Sequence, residues 1–257
     1  MRKLSLKTKR LLESWVVQYG NVSFIPDDPI SIPHRYTRRE DIEISGLMTA
    51  LISWGTRKAI IKTARDWMRS MDDAPFDFVM NSSAQEQRVM KTQIYRTFQG
   101  EDMMDLLQAL REIYRSHRTL EALFVKGFEK GEALQGISEF RRMILSHGHR
   151  PHFEKHIANP IAGSAAKRIN MYLRWMVRKD EGGVDFGIWD NIPMSKLSIP
   201  LDVHSGNVAR SLGLLARKQN DWNAVAELDA ALRSMDPSDP VKYDFALFGA
   251  GVSGEVG

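Results

Sequence analysis

Four histidines crowd one short stretch of this sequence: His147, His149, His152 and His156 fall within ten residues. Imidazole is a common transition-metal ligand, and His152 and His156, four apart, could share one helix face. The order His-Phe-Glu-Lys-His is not the His-Glu-x-x-His of zinc proteases, because the glutamate comes one place late. No carboxylate elsewhere in the segment completes a site, so no metal is assigned and a surface cluster is the commoner reading. A second pair is spaced more widely. Lys167 stands just inside a helix that follows a Pro-Gly turn signal, Pro160 and Gly163, and Asp202 follows Pro200, 35 residues after Lys167. An amine and a carboxylate are groups of nucleophilic and acid–base chemistry. Taken singly, their ordinary readings carry more weight: a solvated helix residue for Lys167, and for Asp202 an N-cap that accepts from free backbone amides.

The elements that must position these residues are helical nearly throughout. Residues 5–19 form an amphipathic helix with Leu11, Leu12, Trp15, Val16 and Tyr19 on one side. Pro26, Pro29 and Pro33 make residues 21–39 an extended loop. Asp41 opens an apolar helix, Gly55 ends it, and the next begins with Arg57. Further helices are predicted at 84–97, 101–116, 119–129 and 132–147, and another follows Gly163 with Ile169, Tyr172, Leu173 and Met176 at helical spacing. After an irregular connection, residues 203–214, 221–234 and 240–250 close the chain as helices, with Asp221 and Asp239 as N-caps and Pro240 at a first helical position. No repeat and no run of alternating strands is present. The class is all-α. Residues 1–257 read as one unit, with the hairpin and chemical region at 159–210 and room for two helical lobes around a cleft.

Composition narrows the function classes. The 43% apolar and 26% charged fractions are globular averages, and no apolar run approaches the ~18 residues of a membrane span. The basic N-terminal segment has no apolar stretch behind its charges and is not read as a signal peptide. Without cysteine, disulfides, thiolate zinc sites, iron–sulfur clusters and cysteine nucleophiles are excluded, and a cytoplasmic setting is expected. Gly249-Ala250-Gly251 is too short for a phosphate loop, so nucleotide hydrolysis has no support. Residues 141–180 hold nine Lys and Arg against Glu154 and Asp180, and the first ten residues add five basic groups. Such clustering suggests a polyanion partner, with a solvated helix face as the equal alternative.

A resemblance bears on these odds. Gly163-Ser164-Ala165-Ala166-Lys167-Arg168-Ile169 resembles the Gly-x-Gly-x-Lys-Thr-Ala hairpin of the helix-hairpin-helix DNA glycosylase superfamily, typified by endonuclease III. Leu201-Asp202-Val203-His204, running on to Arg210, resembles its Val-Asp-Thr-His-x-x-Arg-Val segment, and Gly46 to Trp54 is similar to its opening helix. The wording IPHRY, DIEISGL, MYLRWMVR, IPLDVHSGNVAR and DPVKYDFALF is similar to one uncharacterised bacterial family in that superfamily, the domain-of-unknown-function 2400 family, over nearly the whole chain. Three departures stand out: Ala165 replaces the hairpin's second glycine, the glutamine that ends the opening helix is replaced near Gly55, and the Lys167–Asp202 spacing is longer.

The resemblance implies a two-lobed helical fold and a DNA repair glycosylase acting on double-stranded DNA that carries a damaged base. It implies no cofactor and no obligate protein partner. Lys167 would attack C1′ as a neutral amine, the Schiff base would permit strand cleavage, and Asp202 would stabilise the developing cation. Gly163, Ser164, Ala165 and Arg168 would hold DNA phosphate. Trp54, Trp175, Trp189 and His34 are candidates to line a pocket for the displaced base, each also an ordinary structural residue. His204 is expected beside Asp202. The alternatives are a non-catalytic nucleic-acid-binding or damage-sensing protein on the same fold, and a metal-dependent hydrolase built on the histidines.

Overall fold

The computed structural model describes residues 5–179 and 181–255. Arg2, Lys3 and Asp180 of the charge pattern lie outside them. Among the described residues the chain is all-α, with two isolated β-bridges and no strand. In chain order the first helices are α1 (Leu6–Tyr19), α2 (Arg39–Leu51), α3 (Arg57–Ser70), α4 (Pro75–Asn81), α5 (Ala84–Lys91) and α6 (Gly100–Ser116). Then come α7 (Ala122–Lys130), α8 (Ala133–Ile144), α9 (Lys167–Val177), α10 (Val203–Ser211), α11 (Trp222–Met235) and α12 (Tyr243–Ser253). They gather into two compact units. One takes the described residues of Met1–Ile25, Gly131–Leu134 and Asn159–Gly257; the other takes Pro26–Lys130 and Gln135–Ala158.

Local chemistry sets most of the helix starts. The Ser5 hydroxyl accepts from the Thr8 amide at 3.1 Å, and the Asp221 carboxylate accepts from Ala224 at 3.1 Å. Ser83 and Glu86 close a reciprocal box at the start of α5. Four expectations need correction. The proline-rich stretch is not extended: it winds through 3-10 turns at Val22–Asp27, Pro29–Ser31 and Pro33–Arg35, because proline suits the first position of a turn and Asp28 accepts from the Ile30 amide. Helix α2 starts before Asp41, whose carboxylate instead takes the Phe76 amide at 2.8 Å and ties down α4, a helix the periodicity missed. Helix α5 stops at Lys91, where Tyr95 and Phe98 pair across a turn. Asp239 does not cap a helix but pairs with Arg178 at 2.9 Å.

In the first unit, α12 packs against α1 and α10. Leu12 and Trp15 of α1, Val208 and Ala209 of α10, Leu228 and Leu232 of α11, and Leu247 and Ala250 of α12 share one apolar core. Gly249 permits the close approach of α1, since a Cβ there would meet the Tyr19 ring at 2.3 Å. In the second unit α2 is buried on nearly every side. Its Glu43 is fully buried and accepts from Tyr114 at 2.7 Å, from the Leu120 amide at 2.9 Å and from Arg39 at 3.1 Å.

Arg174 of α9 and Arg178 just past its end lie in the interior of the first unit. Arg174 and Arg178 are 3% and 6% exposed. Arg174 bonds Asp185 at 3.2 Å and also Asp244, while Arg178 bonds Asp185 at 3.1 Å and Asp239 at 2.9 Å. Buried charges of this kind are tolerated only as a connected set, and removing one partner strands the others. Arg174→Met should therefore lower the unfolding free energy by about 3–5 kcal/mol in urea denaturation. Arg142→Met, which breaks an exposed pair with Glu139, should leave it nearly unchanged.

Candidate functional site

Asp202 is the N-cap of α10. Its Oδ1 accepts from the Ser205 amide at 2.9 Å and from the Ser205 hydroxyl at 3.1 Å, and the hydroxyl accepts from the Asp202 amide at 3.0 Å. This box fixes the carboxyl group and leaves Oδ2 without a hydrogen bond among the described residues. The chain that leads into Asp202 is held by α11. Arg233 donates to the carbonyls of Ser195 at 3.1 Å and Leu197 at 2.9 Å, and buried Asp229 accepts from the Ile199 amide at 2.9 Å. Burial pushes the Asp229 carboxyl up to about 6, although Ser198, Ile199 and Arg233 all favour its charge.

Lys167 is the first residue of α9. The turn before it places Ala166 in the left-handed region at φ +48°, a conformation that an alanine adopts only under constraint. Lys167 is half-buried, and its amine has neither hydrogen bond nor ion pair among the described residues. Asp244 of α12 is buried and feels the charge of both Asp202 and Lys167. Burial raises this carboxyl to about 7; Arg174 pulls it down, Asp202 pushes it up and Lys167 pulls it down. Both residues singled out in the sequence thus act on one buried carboxylate. Asp244 itself carried no signal in the sequence, because an aspartate in the first turn of an apolar helix looks like ordinary terminus chemistry.

A tight turn at residues 159–164 precedes α9. The Gly163 amide donates to the Pro160 carbonyl at 2.9 Å, and the Ser164 amide donates to Asn159 at 3.2 Å. Positive φ occurs at Gly163 (+92°) and Ala166, not at Ala165. Gly163 is exposed, and a Cβ there would meet nothing within 4 Å, so the turn faces open space. Ahead of the hairpin stands a 3-10 turn, Phe153–His156, and α8 has already ended at Ile144. Arg168 is half-buried, and burial pushes its guanidinium down to about 10.

The aromatic candidates divide. Trp175 and Trp189 are 0% and 1% exposed; Trp189 meets Tyr172 edge-on at 5.4 Å, so both are core residues of the first unit. Trp54 and His34 belong to the second unit and are half-buried, His34 within the Pro33–Arg35 turn. His204 is exposed and faces the Phe248 ring at 6.1 Å.

The basic stretch does not form one free patch. Arg141 pairs with Glu154, Arg142 with Glu139, Arg150 with Asp105 and Lys179 with Asp190, while Arg174 and Arg178 are buried among aspartates. Clustering in sequence became internal neutralisation in space. The histidines also changed meaning. Asp102 of α6, 50 residues away, places its carboxylate against His152 Nδ1 at 2.8 Å and His156 Nε2 at 3.1 Å. His149 instead faces Glu154 at 3.3 Å. Sequence reasoning missed Asp102 because nothing local distinguishes it from a helix-start carboxylate.

A family described as "Protein of unknown function (DUF2400)" matches residues 28–253, and the chain belongs to it. Neither a curated protein nor a solved structure matches the chain.

Two outcomes follow from this geometry. Asp202→Ala should lose about 1 kcal/mol of unfolding free energy through the missing cap, whereas Asp202→Asn should stay within a few tenths. Asp229 is protonated in the folded state up to about pH 6 and ionised in the unfolded chain above its ordinary value of 3.8. The folded state therefore holds the extra proton, and stability falls as pH rises from about 4 to 6. Urea denaturation at both ends of that window should show the loss in the parent and a flatter profile in Asp229→Asn.

Proposed function

We propose that this member of the DUF2400 family is a lysine-dependent DNA glycosylase, with strand cleavage following base release. The observation that carries the reading is that Lys167, the first residue of α9, and Asp202, the N-cap of α10, both act by charge on buried Asp244 in the first turn of α12. Lys167 offers an amine with no ion-pair partner among the described residues. It attacks C1′ as the C1′–N bond to the base breaks, and the base leaves with the bond's electron pair. Asp202 Oδ2 faces the cationic sugar that develops, and the serine box keeps it from turning away. Asp244, raised to about 7 by burial, has the proton affinity to take the proton that Lys167 must shed near neutral pH. The nitrogen lone pair then expels O4′, which takes up a proton as the sugar ring opens, and the resulting Schiff base acidifies C2′, so that loss of a C2′ proton lets β-elimination break the 3′ C–O bond to phosphate.

The hairpin supplies what such chemistry needs from a DNA contact. Gly163 offers open backbone, and Ile161 at the same turn is 74% exposed, an apolar side chain placed to press against a distorted base step. The damaged base must leave the stack for its sugar carbon to be reached.

Borohydride trapping tests the reading. The parent and Lys167→Gln are incubated with duplexes carrying 8-oxoguanine, uracil, an oxidised pyrimidine, an alkylated purine or an abasic site. A covalent adduct with at least one duplex is expected for the parent and none for Lys167→Gln, with DNA binding retained. An adduct that survives in the variant removes Lys167 from the mechanism, and no adduct with any duplex overturns the Schiff-base route.

A further inference from the structure

We infer that Asp102, His152 and His156 form a binding site for a divalent transition-metal ion of the Zn2+ class. All three belong to the second unit, and the inference does not rest on the lysine chemistry, whose residues belong to the first. One ligand atom from each of the three lies within 4.8 Å of the others. Zinc bonds of about 2.0–2.1 Å in a tetrahedral site place neighbouring ligand atoms roughly 3.3 Å apart. The separations from Asp102 Oδ2 of 2.9 Å to His152 Nδ1 and 3.1 Å to His156 Nε2 need only small shifts to reach it. Two imidazoles and one carboxylate select a borderline ion such as Zn2+ over Mg2+ or Ca2+, which take oxygen ligands.

The surroundings hold the ligands as a metal site requires. Asp102 is 1% exposed, and its Oδ2 accepts from the Gln99 amide at 2.7 Å, an outer contact that fixes the carboxylate. His156 is 2% exposed, with Trp54 stacked on it at 6.2 Å and Phe98 tilted against it at 4.8 Å. These rings leave the imidazole little freedom to turn. The His152 side chain, at 36% exposure, opens the cluster to solvent. Three protein ligands leave a fourth position for water or a substrate oxygen, as in zinc sites that do chemistry.

Lys155 makes the proposal specific. Its ammonium meets His152 Nε2. An ammonium can only donate, so this contact keeps the ring proton on Nδ1, where it points at Asp102. Metal binding at Nδ1 moves that proton to Nε2 and expels Lys155, an exposed side chain. Lys155 therefore competes with the ion, both by fixing the wrong tautomer and by like charge.

The test uses the full chain, stripped with a chelator and titrated with Co2+ and then Zn2+. The parent should bind about one Co2+ per chain with a visible absorption band typical of tetrahedral nitrogen and oxygen ligands, and Zn2+ should displace it. His152→Gln should weaken binding by about 100-fold or more, since a ligand is lost outright. Lys155→Met should tighten binding by about tenfold, as a nearby positive charge is removed. Both side chains reach solvent, so neither variant threatens the buried core, and circular dichroism checks this. The absence of stoichiometric binding by the parent overturns the site, as does an unchanged affinity in either variant. The Lys155 arm excludes a merely structural histidine cluster, which has no reason to gain metal affinity when a lysine is lost.

Discussion

The burial of two guanidiniums, one on α9 and one just past its end, is the constraint on which the first unit depends. Each desolvated ion costs several kcal/mol unless its field is closed by partners. Arg174 and Arg178 close it with Asp185, Asp239 and Asp244, drawn from three separate parts of the chain. The set joins α9, the connection after it and the start of α12 into one electrostatic object. Three carboxylates face two guanidiniums, so the set leans negative. Burial, more than that imbalance, holds the Asp244 proton up to about 7; Asp202 adds to the shift, and Arg174 and Lys167 oppose it. The chemistry proposed for the site therefore draws on the same burial of charge that the fold around it has to close.

Position at helix starts is the second recurring device. Asp202 works as an N-cap, and that ordinary duty is what aims it: Ser205 occupies one oxygen and leaves the other available. Structural and chemical roles are not rivals at such a residue. The cap supplies the orientation that a free surface carboxylate would lack. Asp102 combines duties in the same way, serving the start of α6 through the Gln99 amide while gathering two histidines.

Charge read along the chain misled where charge in space was needed. Six of the nine basic side chains between Arg141 and Lys179 are matched by acids, and the matching residues range from Asp105 to Asp244. A run of like charge in sequence becomes a surface patch only if its helix faces turn outward. Here Arg174 of α9 and Arg178 just past its end turn inward, because the helix is buried on nearly every side from Ile169 to Val177.

Much of the helical framework was legible in the sequence alone. Apolar spacing located α1, α3, α6, α9 and α11, and Asp202 and Asp221 announced their caps, because periodicity and capping are local physics. The 3-10 winding of the proline-rich stretch, the helix at Pro75 and the pair partner of Asp239 were not legible. Each is decided by a contact with residues far along the chain, as when Asp41 receives the Phe76 amide. Lys167 and Asp202 could be named from their types and setting, and the four histidines from their density. That Asp244 feels the charge of both members of the first pair, and that Asp102 completes the histidine set, is a matter of tertiary structure. A lone carboxylate has no local signature, and only folding brings it to the groups that give it a role.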